Sequence, residues 1–266
     1  MSNNKKRIQN CFLLFICLLF VPATNTTLAQ VADNLENLEI LQIIHTPNAG
    51  VLKRGQYQFE FRGYGDSGVN LGISMGLFDR FMFGVAYGGN SVLGYDKPLW
   101  NKLPGVLVKY RVIEENQILP ALTVGFDMQG RGKWDDIEER YLFKAPGGFF
   151  ALSRNFISNL GRFGVHGGMN YNSAEGGGDN RRDAFAALDF SLNEQVVLLG
   201  EYDFARDDDS FGDTTGKVMS GYLNVGVRFA LAQSFVFEFD ATDLLGNNIN
   251  TVGREIKIVY VETFNF

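Results

Sequence analysis

The sequence predicts an all-β chain, an antiparallel up-and-down transmembrane β-barrel of about 12 strands with short periplasmic turns and longer outer loops. Three observations lead there. From Gln56 onward, short segments alternate apolar and non-apolar side chains. The connections between them alternate as well, tight then long. The chain also opens with an export signal and keeps no cysteine after it.

The signal comes first. Lys5, Lys6 and Arg7 form a basic region, "CFLLFICLLFVP" an apolar core, and "ATNTTLA" a run of small residues with Thr27 and Ala29 where a signal peptidase reads. Residues 1–29 are therefore expected to be cleaved near Ala29. The apolar core is shorter than the ~20 residues a helical anchor needs. The "LFI" before Cys17 lacks the small residues of a lipoprotein site. Both cysteines, Cys11 and Cys17, fall inside this signal, so the expected mature chain enters an oxidising compartment without disulfides. Removing three bases and no acid takes 24 basic against 30 acidic residues to 21 against 30. So acidic a chain argues against nucleic-acid binding.

Residues 30–54 read as a periplasmic lead-in. "LENLEILQII" has weak helical periodicity and "HTPNAG" is a turn cluster, and a small plug is conceivable. The barrel proper is expected over residues 55–266. Its first strands are "QYQFEFRGY", with Tyr57, Phe59 and Phe61 outward, "NLGISMGL", with Leu71 and Ile73, and "FMFGVAY", with Phe83 and Val85. "VLVKYRV" puts Tyr110 and Val112 outward, and "ALTVGFDM" Val124 and Phe126. "FFALSRNF" is the least regular, followed by "RFGVHGGMNY" and "DAFAALDFS". "VVLLGEYDF", "YLNVGVRF", "FVFEFDA" and "REIKIVYVETFNF" complete the set. Period two of this kind smears around a 3.6-residue helix and fits pleated strands.

"LFDR", "IEENQI", "ISNLG", "LNEQ" and "ALAQS" are short; the intervening connections are long, except "GDSGV". A soluble sandwich would share the period but has no reason to sort its loops by length. Tyr260, Phe264 and Phe266 share the lipid-facing parity, as a C-terminal assembly signal for an outer-membrane barrel would, although Glu262 interrupts it.

By parity the inward acids are Glu60, Asp127, Asp189, Glu201, Asp203, Glu238, Asp240 and Glu255. The inward bases are Arg62, Lys109, Arg111, Arg228 and Lys257. Such groups either line a polar pore or pair into a network that fills it. His166 and Ser153 fall on adjacent strands, which invites a nucleophile–base pair, but no neighbouring acid is compelling. No catalytic residue is assigned on that basis. "DDDSFGDTTGK" fails the calcium-loop pattern, with Phe211 at the fifth ligand position and Val218 at the twelfth. No cofactor and no metal is expected.

"GLFDRFMFGVAYGG", "PGVLVKYRVIEE", "PALTVGFD", "GVHGGMNY", "LLGEYDFA" and "DLLGN…GREIKIVYVETF" carry a resemblance. They resemble an uncharacterised family of bacterial outer-membrane barrels, distantly like the exopolysaccharide-associated barrels of the YjbH kind. The resemblance implies a barrel layout and supplies no functional residues. The expected function is a narrow porin-like channel for small solutes in the bacterial outer membrane. A closed accessory barrel in envelope or exopolysaccharide assembly is the alternative, and an outer-membrane hydrolase a third. Expected partners are outer-membrane lipid and lipopolysaccharide, the barrel-assembly machinery and small solutes, with no nucleic acid.

Overall fold

A computed structural model describes residues 39–158, 161–176, 181–193, 195–208, 221–232, 234–247 and 252–264. The expected signal sequence and cleavage site, residues 30–38 of the expected lead-in, and Phe266 lie outside them. Among the described residues there are fifteen strands: β1 (Gln56–Tyr64), β2 (Gly68–Phe78), β3 (Phe81–Asn90), β4 (Leu99–Trp100), β5 (Gly105–Ile113), β6 (Ala121–Asp127), β7 (Arg131–Asp135), β8 (Arg140–Phe143), β9 (Gly147–Ser158), β10 (Gly161–Tyr171), β11 (Asp183–Ser191), β12 (Val196–Asp203), β13 (Tyr222–Ala232), β14 (Phe235–Thr242) and β15 (Gly253–Thr263).

Twelve of these close into a ring. Each pairs antiparallel with the next, β2 pairs with β3, and β1 pairs with β15 across the seam from Gln56–Thr263 to Gly63–Ile256. Closure leaves no sheet edge unpaired, which a spanning structure in lipid requires. The remaining three strands belong to outer connections. Strand β4 extends the pairing of β3 through Gly89–Trp100 and Asn90–Leu99, and β7 with β8 forms a separate hairpin. Sequence reading placed all three inside loops, because two to five residues carry too little alternation to register. The segment read as least regular is β9, at 12 residues the longest strand.

The alternation sorts as the lipid face demands. Phe59, Leu71, Ile73, Phe83, Val85, Tyr110, Val112, Val124, Phe126, Leu188, Leu198, Val225, Phe235, Phe239 and Ile256 are exposed large apolar side chains. The alternate positions, on the inner face, include Arg62, Lys109, Asp189, Glu201, Glu238 and Lys257, all buried. A soluble fold of the opposite sense would bury the first set and expose the second. The short connections lie at one rim and the long ones at the other. At the long-loop rim, three connections knit together over the lumen. Arg140 contacts Asp208, Tyr222 donates to Asp208 at 2.6 Å, and Glu175 accepts from the Tyr141 and Ala145 amides at 2.9 Å each.

Residues 39–54 do not form a lead-in outside the barrel. They enter the lumen, turn at Ile43–Thr46, where the Ile43 amide donates to the Thr46 carbonyl at 3.1 Å, and return. Gln42 and Pro47 bridge across the turn. No helix forms there. Leu41, Ile43, Ile44, Val51 and Leu52 are all buried, the isoleucines completely. Gly50 closes the base of this hairpin, because a Cβ there would sit 1.9 Å from the Ile40 carbonyl oxygen. In the described part of the expected weak helix, residues 39–44, the backbone is satisfied against the barrel wall and not against itself.

Candidate functional site: the lumen and its hairpin

Strands β12 to β15 and β1 place their inward charges at mid-depth, where the hairpin turns. Glu201, on β12, accepts from three consecutive main-chain amides, those of Ile44, His45 and Thr46, at 2.9–3.0 Å. It also accepts from the Thr46 hydroxyl at 2.8 Å and from Asn224 at 2.7 Å. Carbonyls are met by cations. Arg228 reaches the Gln42 and Ile43 oxygens at 3.2 and 2.9 Å, Arg62 and Lys257 the Ile44 oxygen at 3.4 Å, and Arg131 the His45 oxygen at 3.2 Å. Lys109 reaches Leu41 at 2.8 Å, while Arg111 and Thr123 share the Ala49 oxygen at 2.9 and 2.8 Å. Bonds to charged groups are worth about 1.5–3 kcal/mol each against about 1 for neutral ones, so the wall holds the hairpin mainly through its backbone.

The same charges compensate one another. Glu238 bridges Arg228 and Lys257. Arg62 pairs with Glu60 at 3.2 Å and Glu255 at 3.3 Å, and Glu255 meets the His45 ring at 3.0 Å. Asp127 accepts from Gln42 at 3.2 Å. Arg111 pairs with Glu39 and with Glu114 at the inner rim. Asp203 lies higher, accepting from the Ala205 amide at 2.9 Å near the outer cap. Asp240 is buried with neither carboxylate oxygen hydrogen-bonded among the described residues. Tyr260 and Phe264 sit together at the seam against Tyr57, with ring centroids 6.5 and 4.5 Å away.

His166 differs from its sequence reading. An acid does stand beside it: Nε2 is 2.7 Å from Asp189, while Nδ1 is 2.8 Å from Ser153. Ser153 and His166 are direct partners between β9 and β10, and Asp189 faces Gly164 one step away on β11. Parity alone could have offered Asp189; the register that brings it within reach could not be read. The relay ends on the hairpin, since Ser153 accepts the Ala49 amide at 2.9 Å. Ser153 lies within β9, paired on both sides, so its own amide is not shaped as an oxyanion donor. The arrangement is that of a latch.

Next to the gripping wall, the inner face carries a run of small residues: Gly72 and Ser74 on β2, Gly84 and Ala86 on β3, Gly105 on β5. Beside them runs a continuous cavity of about 1250 Å³. It extends from Glu114, Arg162 and Asn193 at the inner rim to Asn70, Gln129 and Arg131 in the outer half. Beyond the hairpin tip, a void of only about 40 Å³ lies between His45, Asp203 and the outer cap.

No known family model matches the chain, and no curated protein does. Among solved structures it is similar to the KdgM porin, at 8% identity over 79% of this chain and 99% of that one, with a TM-score of 0.43. The NanC porin gives 12% identity, the same two coverages and 0.43. The Acinetobacter baumannii outer membrane protein Omp33 gives 7% identity, 79% and 97% coverage and 0.40. At such distances the fold assignment stands on the closed strand pairing and the apolar outer face, which are those of a membrane-spanning β-barrel.

Proposed function

We propose that this chain is a narrow porin-like channel of the bacterial outer membrane, passing small polar solutes along the small-residue wall beside the lumen hairpin. The observation that supports this reading is the continuous 1250 Å³ cavity, lined by small residues, charged groups and aliphatic side chains such as Leu107, Val236 and Val259, and running from the inner rim into the outer half. A wall without bulky side chains leaves room for a hydrated solute, and paired charges give it polar partners without one dominant sign. The export signal and the aromatic cluster of Tyr260 and Phe264 support delivery by the barrel-assembly machinery. The test is conductance in planar bilayers from purified protein that shows heat-modifiable gel mobility. Small, discrete steps are expected; folded protein that never conducts would overturn the proposal.

A second reading is favoured by the outer cap and the filled gripping wall: a closed accessory barrel in envelope or exopolysaccharide assembly, in keeping with the YjbH-like resemblance. It predicts a folded protein with no conductance under any condition.

A further inference from the structure

We infer that the inner wall formed by β11 to β15 and β1, together with Lys109 and Arg111 of β5 and Ser153 of β9, is a binding site for an extended peptide backbone, occupied here by the chain's own residues 41–49. The solute class of the proposed channel is then peptide; that last step rests on the channel reading, whereas the binding site itself does not.

The argument comes from what the wall touches. Main-chain oxygens of Leu41, Gln42, Ile43, Ile44, His45 and Ala49 all accept from wall or loop side chains. The amides of Ile44, His45, Thr46 and Ala49 all donate to Glu201 or Ser153. A hairpin built to be permanent would bond its strands to each other; this one has a single bridge, Gln42–Pro47. Groups directed at amides and carbonyls accept any sequence, because every residue but proline carries both. Side-chain selection is confined to one place. Ile43 and Ile44 pack on Ala187, Val197 and Leu199, so the site favours two adjacent aliphatic residues. Both halves of the recognition are present: fixed polar partners for the backbone and an apolar seat for side chains, as in other extended-peptide sites. The hairpin enters at the inner rim, where Glu39 pairs with Arg111, so an incoming peptide would meet the site from the end where the cavity has its rim residues.

The test uses the full chain folded in detergent micelles and a fluorescein-labelled peptide of residues 40–50. Gly50→Val breaks the base of the hairpin without altering the wall. Fluorescence anisotropy should show that peptide binding to this variant is roughly tenfold or more tighter than to the unaltered chain, whose tethered hairpin competes at high effective concentration. Adding Glu201→Gln should weaken binding about tenfold, by replacing a charged acceptor with a neutral one. A peptide of scrambled order that keeps the isoleucine pair should bind nearly as well, and one with both isoleucines changed to aspartate should not.

No binding to the variant, or binding indifferent to Glu201→Gln, would overturn the inference. Ile43→Asp, another change on the hairpin side, serves if Gly50→Val does not fold. Failure of both to fold would show the hairpin to be part of the barrel's structure and would equally overturn it. In planar bilayers, the Gly50→Val protein should conduct more than the parent and be blocked by the peptide. Conductance without block would dispose of peptide as the solute class and leave the channel standing. Absence of conductance in both proteins would remove the channel reading, while the anisotropy result still decides the site.

Discussion

The two halves of the lumen obey one rule and reach opposite results. On β12 to β15 and β1, inward positions at mid-depth include Glu201, Asn224, Arg228, Glu238, Glu255, Lys257 and Arg62, with Leu199 and Gly226 between them, and residues 41–49 fill the space they enclose. On β2, β3 and the start of β5 the inward positions include Gly72, Ser74, Gly84, Ala86 and Gly105, and the space beside them stays open, whereas Lys109 and Arg111 further along β5 hold the hairpin. Strand geometry is the same on both sides, so side-chain volume alone divides a gripping wall from a passage. Stability is therefore expected to reside in one half and permeation in the other, and substitutions should separate the two.

The largest effect should come from the gripping wall. Glu201→Leu leaves three buried main-chain donors without their acceptor, at about 1–3 kcal/mol for each unsatisfied group. Hairpin docking should weaken by on the order of 3 kcal/mol. Limited proteolysis within residues 39–54 should then become fast while the barrel stays folded; unchanged protection would mean the wall does not hold the hairpin as described. On the small-residue wall, Ala86→Phe should abolish most conductance. Stability to urea in lipid vesicles should move by only about 0.5 kcal/mol, as for positions outside a packed core. A large loss of stability there would erase the distinction between the halves.

A third effect concerns the outer cap. Burial, and then the Asp183 carboxylate beside it, push Asp207 up to about 7 from 3.8. The folded loop thus keeps a proton that the unfolded loop gives up near pH 4. The contribution to loop order is full below that point and is lost as pH rises through about 7. Protease nicking around residues 204–208 should accordingly be faster at pH 8 than at pH 5, and Asp207→Asn should flatten that difference. Nicking independent of pH in the unaltered protein would contradict this account. The smallest effect is expected at the exposed pair Lys102–Glu139, 3.9 Å apart with side chains 54% and 69% accessible. Lys102→Ala should cost about 0.5 kcal/mol or less, a baseline for what ion pairs are worth outside the lumen.

Much of this division can be read in the sequence, and the reasons are specific. Phe235, Phe237 and Phe239 alternate with Glu238 and Asp240, so parity assigns faces without knowing any partner. The inward charges follow from that parity. What they hold does not, because the weak helical periodicity over residues 35–44 points away from the hairpin that forms; its hydrogen bonds go to residues as far along the chain as Lys257. The Ser153–His166–Asp189 relay lies between these cases. Each member is on the expected face, but the pairing register that joins them is a property of three strands together. The short strands β4, β7 and β8 escaped notice because they belong to loops whose order comes from mutual contacts such as Arg140 with Asp208.

The hairpin also sets a timetable. It is made before any barrel strand, yet its partners on β12 to β15 are made last, 157 residues later for Ile44 with Glu201 and 213 for Ile44 with Lys257. Contacts so distant along the chain are slow to form, since the entropy of closing the intervening loop must be lost before they contribute. The strand that completes the ring, β15, supplies Glu255 and Lys257 to the same segment. Ring closure and hairpin capture are therefore one kinetic event, and the slowest phase of folding should carry both signals with a single rate constant.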